Sequence, residues 1–193
     1  TYGGGTPGLD TLTVSGLGTS ATVSVSVSNE DFSFAQPASG TVVPVGVAQV
    51  LSVQLRSAGV PQPGVSVSFA TTRGALAPAT AVTNAAGLAS TTLLSSTAGP
   101  ATVTARSANG AQITLPLTLV ATTPASLILQ PSLSALTPNP AGSQTSQSTL
   151  QAMVRDASGN AVTGQTVSFT ALQDTSGGTI SPGSGVTDAN GLV

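Results

Sequence analysis

Short runs in which apolar and polar residues alternate dominate this chain. Because successive side chains of a β-strand point to opposite faces, each run predicts a strand with one buried face. No segment of useful length shows a helical period, so the pattern predicts an all-β fold. The clearest runs place apolar side chains at Val23, Val25 and Val27, at Leu51, Val53 and Leu55, and at Ile113, Leu115, Leu117 and Leu119.

The pattern also repeats along the chain at a spacing close to 100 residues. Residues 64–69 (GVSVSF) recur as residues 164–169 (GQTVSF), and residues 83–89 (TNAAGLA) recur as residues 187–193 (TDANGLV). Near the start, residues 6–27 resemble the two closing strands at residues 97–117. A repeat of this length is the size of one small β-sandwich, so we expect tandem sandwich units.

The alignment of these copies predicts three units. Residues 1–28 correspond to the closing strands of a preceding unit, residues 29–121 to a complete unit, and residues 122–193 to the first part of a following unit. The joints are expected near Ser28-Asn29-Glu30 and near Ala121-Thr122-Thr123-Pro124. Short joints that contain proline limit bending between units.

Composition supports a folded chain rather than a disordered one. Although 29 residues are Thr and 26 are Ser, 39% of the 193 residues are hydrophobic and they fall in alternating runs. Only 10 residues are charged, and the net charge is -2. There is no run of about 18 apolar residues, so we expect no transmembrane helix within this chain.

Three missing residue types exclude most catalytic chemistry. The chain has no Cys, no His and no Lys. Thiolate nucleophiles, imidazole bases, lysine Schiff bases, Ser-His-Asp triads and sulfur or imidazole metal sites are therefore all excluded. We predict that the chain is not an enzyme, that it has no catalytic residues and that it needs no cofactor.

The acidic residues provide little further possibility of catalysis, because general acid–base catalysis by carboxylates needs two of them held close together. Only Glu30 and Asp31 are adjacent, and on a strand they would point to opposite faces. They lie at the first joint, where calcium could stiffen a linker, but the second joint has no acid, so no metal site is predicted. Asp156 and Asp188 sit in turn-forming phrases and are expected to bond their own backbone. The full set is Asp10, Glu30, Asp31, Asp156, Asp174 and Asp188.

Binding residues are equally hard to assign, and the ligand-binding residues stay unknown. The four arginines (Arg56, Arg73, Arg106 and Arg155) are scattered, so no nucleic-acid site is predicted. Arg56 and Arg155 hold equivalent repeat positions and are expected to be exposed at strand ends. A glycan-binding platform needs exposed aromatic rings. With Phe69 and Phe169 expected in the core, the rings left for such a platform are Tyr2, Phe32 and Phe34.

Residues 150–169 resemble the bacterial immunoglobulin-like repeat of group 1, which occurs in invasin- and intimin-type adhesins. The resemblance rests on the D-x-x-G-N-x-V turn that begins at Asp156, the V-x-F strand that ends at Phe169, and the T-D-A-N-G-L phrase that begins at Thr187. The middle unit departs from this pattern, with Ser57-Ala58-Gly59-Val60-Pro61 in place of the turn and Asn84 in place of the acid. The resemblance implies an antiparallel Greek-key sandwich that acts as a spacer or stalk.

Two functions follow as expectations. The first is a structural spacer in a large bacterial surface or secreted protein, which contacts only neighbouring repeats and lies outside the cell, secreted or anchored to the outer membrane. The second is a self-assembling filament or coat subunit in which the first strands of one chain complete the last unit of an identical chain. Sheet edges are usually protected by charges, above all lysine, and here only Pro44 and Pro116 are available to blunt them.

Overall fold

The computed structural model describes residues 1–4, 6, 8–27 and 30–193, with residues 26 and 27 described by their backbone alone. Ser28 and Asn29, at the expected first joint, lie outside the described residues. Within the described part every regular element is a strand, which confirms the all-β prediction. The strands are β1 Gly8–Gly16, β2 Thr19–Val27, β3 Glu30–Gln36, β4 Val42–Pro44, β5 Gln49–Ser57, β6 Val60–Pro61, β7 Ser66–Thr71, β8 Ala75–Ala77, β9 Thr80–Val82, β10 Leu88–Leu94, β11 Gly99–Ser107, β12 Gln112–Val120, β13 Ser126–Pro131, β14 Leu150–Arg155, β15 Thr166–Ser168 and β16 Ser184–Val186.

Residues 30–120 form two facing sheets, which we call the middle sandwich. One sheet has the order β3-β5-β10-β8, with β6 also paired to β5, and the other has the order β4-β12-β11-β7-β9. All pairs are antiparallel except β4 with β12, which is parallel. Pro44 lies in the edge strand β4, as predicted, but Pro116 lies in β12, which has neighbours on both sides. The prediction that Pro116 blunts a sheet edge is therefore wrong.

The middle sandwich is filled by the alternating residues that the sequence assigns to its strands. Leu51, Val53 and Leu55 of β5 are fully buried, and they face Leu115 and other residues from the opposite sheet. Burial of this kind is worth about 25 cal/mol per Å² of apolar surface, so these side chains hold the two layers together.

Residues 8–27 form a separate hairpin, β1 with β2, joined at Leu17 and Gly18. Two strands with a glycine-bearing turn are as predicted. Gly8 pairs with Val27 in this hairpin, and the equivalent Gly99 pairs with Leu119 in the middle sandwich. Val27 therefore corresponds to Leu119, two residues beyond the Leu117 that the sequence alignment predicts. The prediction that Val23 is buried is also wrong, because no second sheet covers the hairpin within the described residues and Val23 is 59% exposed.

Residues 122–193 form two small sheets, β13 with β14 and β15 with β16, which we call the open unit. Residues 143–148 lie in a loop that leads into β14. Leu192 forms a β-bridge to Met153 in the open unit, and the equivalent Leu88 at the start of β10 pairs with Gln54 in the middle sandwich. The open unit therefore has the first contact of a strand like β10. Within the described residues, the open unit has no strands that match β11 and β12.

Candidate functional site

The joint between the middle sandwich and the open unit is built from buried side chains. Ala121, directly after β12, forms a parallel bridge to Val162, and both residues are buried. They belong to an apolar cluster with Val154 and Val167 of the open unit, and Val45 of the middle sandwich packs against it. The backbone N–H of Val45 donates to the carbonyl of Val120 at 2.8 Å, which fixes the last strand at the joint.

Asn160 links the two units through a pair of hydrogen bonds. Its Oδ1 accepts from the backbone N–H of Ala98 at 2.9 Å, and its Nδ2 donates to the carbonyl of Ser96 at 2.8 Å. Ser96 and Ala98 lie in the loop between β10 and β11 of the middle sandwich. A side-chain amide that both donates to and accepts from one backbone loop fixes the orientation of that loop as well as its distance.

Asp156 holds Asn160 in place from the other side. Its Oδ1 accepts from the backbone N–H groups of Ser158 and Asn160, and its Oδ2 accepts from Asn160 Nδ2 at 2.7 Å. Slight burial opposes ionisation of Asp156, but these hydrogen bonds favour the carboxylate and hold its pKa below the ordinary value. The ionised Asp156 therefore orients the amide that joins the units.

The predicted turn role is confirmed for both Asp156 and Asp188. Oδ1 of Asp188 accepts from the backbone N–H groups of Asn190 and Leu192, and Asn84 makes the same pair of bonds in the middle sandwich. The bonds from Leu192 and Asn190 lower the pKa of Asp188. Both acids make their bonds within the open unit, but Asp156 bonds the Asn160 side chain that reaches the middle sandwich, whereas Asp188 accepts from backbone groups of its own turn.

The remaining acids are spread over the structure. Asp10 accepts a hydrogen bond from the hydroxyl of Tyr2, Glu30 accepts one from the side chain of Asn109, and Asp174 closes a local turn with Ser176 and Gly178. Asp31 lies next to Glu30 in β3. Among the described residues, no three acidic side chains come together in a way that could hold a metal ion.

The aromatic side chains do not form the platform that a glycan-binding role requires. Phe32 is only 8% exposed and lies in the core, and Phe34 packs against it, so the prediction that these two rings are available at the surface is wrong. Their position in β3, which faces β12 across the sandwich, explains the burial. Phe69 is buried as predicted, and Phe169 packs against the cluster at the joint.

The prediction that Arg56 and Arg155 are exposed is also wrong, because both are half-buried. Arg155 donates from Nη1 to the carbonyl of Gly159 at 2.7 Å and so braces the turn that carries Asn160. Arg56 lies beside the tighter β5–β6 turn at Ala58 and Gly59, and its Nε is buried without a hydrogen-bond partner. The two arginines hold equivalent positions but only one supports a joint.

Sequence reasoning missed Asn160 as a contact between units. It recognised the turn from Asp156 to Asn160, but the partner loop at Ser96 and Ala98 lies more than 60 residues earlier and has no distinctive sequence. The available signal was a difference between the copies, since Val60 stands at the matching place in the middle sandwich.

Residues 45–120 match the model of the bacterial Ig-like domain (group 1). This segment is therefore similar to a bacterial Ig-like domain of group 1. The match covers β5 to β12 of the middle sandwich, and it confirms the resemblance seen in the sequence. A comparison with curated proteins finds no significant match.

Solved structures similar to this chain include those of adhesins and of a surface-layer protein. Invasin, described as a bacterial integrin-binding protein, is 22% identical with a TM-score of 0.52, over 84% of this chain and 35% of that one. The D0-D1 domain of intimin is 25% identical with a TM-score of 0.42, over 84% of this chain and 80% of that one. Domains 4–9 of the surface layer protein SbsC are 18% identical with a TM-score of 0.40, over 88% of this chain and 27% of that one. The likeness to invasin shows an Ig-like fold, and this chain spans about a third of the invasin chain.

Proposed function

We propose that this chain is a structural spacer in a larger protein of the bacterial surface, and that it has no catalytic activity of its own. Two similarities support this role. The middle sandwich matches a bacterial Ig-like domain model, and the chain resembles the structure of invasin. The nine-residue strands β11 and β12 each span about 30 Å at ~3.3 Å per residue, which sets the length that one unit contributes.

The observation that carries the proposal is the joint. A buried cluster shared by two units, closed by the hydrogen bonds of Asn160, transmits orientation from one unit to the next. A flexible linker would need only length, whereas this joint has defined contacts at its centre and at its edge. The partners of the chain in this role are the neighbouring Ig-like units.

A location outside the bacterial cell fits the same role. The similar structures belong to invasin, intimin and a surface layer protein. None of the described residues forms a helix that is long and apolar enough to cross a membrane.

The spacer role is tested by measuring how firmly the joint holds. Because the chain has no Cys, spin labels can be placed at Ser68→Cys in the middle sandwich and at Ser168→Cys in the open unit. We expect a narrow distribution of distances between the labels, and a clearly broader one after Asn160→Ala. Asn139→Ala is the matched control, since Asn139 makes a similar pair of bonds to Ser146 within the open unit.

A broad distribution in the unmutated chain would contradict the spacer role, because the units would then be loosely tethered. An unchanged distribution in the Asn160→Ala variant would show instead that the apolar cluster alone sets the joint.

A second candidate function is self-assembly between copies. The observation that favours it is the exposure of apolar side chains in both the first hairpin and the open unit, including Leu9, Val14 and Leu127. Large apolar side chains exposed on sheets are typical of surfaces that pair with another chain.

A further inference from the structure

The loop between β10 and β11, residues 95–98, forms the middle-sandwich side of the contact with Asn160. It presents the carbonyl of Ser96 and the backbone N–H of Ala98 to the side-chain amide of Asn160, at 2.8 Å and 2.9 Å. One acceptor and one donor in the loop thus match the donor and the acceptor of a carboxamide. We call residues 95–98 the receptor loop.

Bonds inside the middle sandwich shape the first half of the receptor loop. Ser95 is only 5% exposed, and its Oγ donates to the carbonyl of Thr97 at 3.0 Å and accepts from the backbone N–H of Thr97 at 3.1 Å. The carbonyl of Ser95 accepts from the backbone N–H of Gly46 at 2.8 Å. These contacts do not involve Asn160, so they fix this part of the loop without the open unit.

Arg73 fixes the other end of the receptor loop, where the chain enters β11. Its Nε donates to the carbonyl of Pro100 at 3.2 Å. Its guanidinium lies against Gly99, where a Cβ would meet Nη2 at only 3.1 Å. Gly99 also has a φ of +127°, which residues other than glycine rarely adopt. The guanidinium and the glycine therefore fit one another and set the path of the chain after Ala98.

The segment that carries Arg73 is itself held against the receptor loop. Oγ1 of Thr71 donates to the carbonyl of Arg73 at 2.8 Å and accepts from the backbone N–H of Arg73 at 3.3 Å. A Cβ at Gly74 would lie 2.7 Å from the carbonyl oxygen of Leu94 and 2.9 Å from Cβ of Ser95, so the two backbones pack closely here. Residues 71–74 and the receptor loop are therefore built as one piece of the middle sandwich.

The hydrogen bonds of Asn160 show why a carboxamide suits the receptor loop. Nδ2 donates to the carbonyl of Ser96 and to Oδ2 of Asp156, and Oδ1 accepts from the N–H of Ala98. A carboxylate offers acceptors only, so at this position it would face the Ser96 carbonyl and the Asp156 carboxylate without a proton to share. An aliphatic side chain would leave both loop groups without this partner. The site therefore discriminates between side chains of nearly equal size.

The chain itself contains a turn that lacks the amide. In the middle sandwich Val60 stands at the place of Asn160, and it pairs with Ser57, which takes the place of Asp156. Two units of one chain thus differ in the group that a receptor loop of this kind binds.

We propose that the receptor loop, positioned by Arg73, selects which unit follows the middle sandwich by binding a side-chain carboxamide. The partner that fits is an Ig-like unit with Asn at the place of Asn160, as in the open unit. A unit with the turn of the middle sandwich brings Val60 to the same place and makes neither bond. The order of units along the spacer is then set at this joint by side-chain chemistry. This inference deepens the proposed spacer role and rests on it.

The spin labels at Ser68→Cys and Ser168→Cys test the selection. Asn160→Val gives the open unit the residue of the middle sandwich, and Asn160→Asp keeps the size of the side chain but removes its donors. We expect both variants to broaden the distance distribution, and Asn160→Asp to broaden it at least as much as Asn160→Ala, because the carboxylate is repelled. Asn139→Asp is the matched control, since Asn139 bonds Ser146 within the open unit, and it should leave the distribution unchanged.

The positioning role of Arg73 is tested with Arg73→Gln in the same labelled chain. We expect a broader distribution, although Arg73 does not bond the open unit. The double variant with Asn160→Ala should be no broader than Asn160→Ala alone, because Arg73 acts through the amide contact. Arg106→Gln is the matched control, since Arg106 donates from Nε and Nη2 to Gln112 on the outer side of β11 and β12, away from the loop. Broadening that adds up in the double variant would overturn the role of Arg73.

Hydrogen exchange tests whether the receptor loop is formed in advance. In Asn160→Ala, the N–H of Ala98 should exchange about five- to tenfold faster, because it loses one hydrogen bond. The N–H of Thr97, which is bonded to Ser95, should keep its rate. Equal acceleration at both residues would overturn the proposal, because the loop would then take its shape from the open unit. The N–H of Val154, bonded to Gly191, reports that the open unit stays folded in each variant.

Failure of the selection and failure of the spacer role give different results. A narrow distribution in the unmutated chain that stays narrow in Asn160→Val and Asn160→Asp would overturn the selection and leave the spacer role intact. A broad distribution in the unmutated chain would contradict the spacer role itself.

Discussion

The middle sandwich and the open unit start from the same strands and end in different states of burial. β3, β5, β7 and β9 of the first have matching partners in β13, β14, β15 and β16 of the second, with the same pairings. Among other differences, β11 and β12 cover Phe32 in the middle sandwich, and the part of the chain that the structure describes has no counterpart of them over Leu127. An Ig-like unit therefore depends on its last hairpin to bury its first strand.

The open unit keeps part of its core through its neighbour. Val154, Val162 and Val167 are buried together with Ala121, which follows the last strand of the middle sandwich. A residue of one unit thus helps to fill the core of the next. The joint supports the open unit as well as orienting it.

The largest expected effect is a difference in lost stability between two equivalent positions, Phe32 and Leu127, on the first strand of each unit. Phe32→Ala should destabilise the middle sandwich by about 3–5 kcal/mol, because it leaves a cavity in a closed core. Leu127→Ala should cost less than about 1 kcal/mol, because Leu127 is already mostly in water. Chemical denaturation followed by circular dichroism measures both. Equal losses would mean that the open unit is closed in solution.

A second pair of substitutions should affect both units alike. Thr83 Oγ1 donates to the carbonyl of Gln62 and accepts from the N–H of Val65, and Thr187 makes the same contacts with Val162 and Gln165. Both threonines are buried. Thr→Val at either position leaves two backbone groups without partners and should cost about 1–3 kcal/mol in its own unit.

Residue-resolved hydrogen exchange measures the threonine losses separately, with Thr137→Val as an exposed control. A loss at Thr83 without a loss at Thr187 would show that the open unit does not keep this part of the fold.

The smallest expected effect is on the joint at low pH. The pKa of Asp156 is lowered in the folded state, so its stabilisation is fully present above the unfolded-state value of about 3.9 and is lost as the pH falls through the lower folded-state pKa. We expect the side-chain amide resonances of Asn160 to shift below about pH 4. Asp156→Asn should abolish that titration, while Asp188→Asn, in a turn within one unit, should leave it unchanged.

Sequence reasoning reached the strands because alternation is a local property. Leu51, Val53 and Leu55 follow a period of two and are buried as predicted. The same period at residues 23–27 gave a wrong prediction for Val23, because burial depends on a second layer that a local pattern does not reveal. Asp156 was assigned to a turn for local reasons, whereas the role of Asn160 depends on a loop more than 60 residues away.

The most direct test of the difference between the two units is hydrogen exchange at Ser68 and Ser168, measured by NMR at a concentration where the chain is monomeric. These residues hold equivalent positions, and their N–H groups point to the edge that β11 covers in the middle sandwich. The account predicts slow exchange at Ser68, and exchange at Ser168 that is faster by about a thousandfold or more, because exchange protection follows local opening. Equally slow exchange at both residues in the monomer would contradict it.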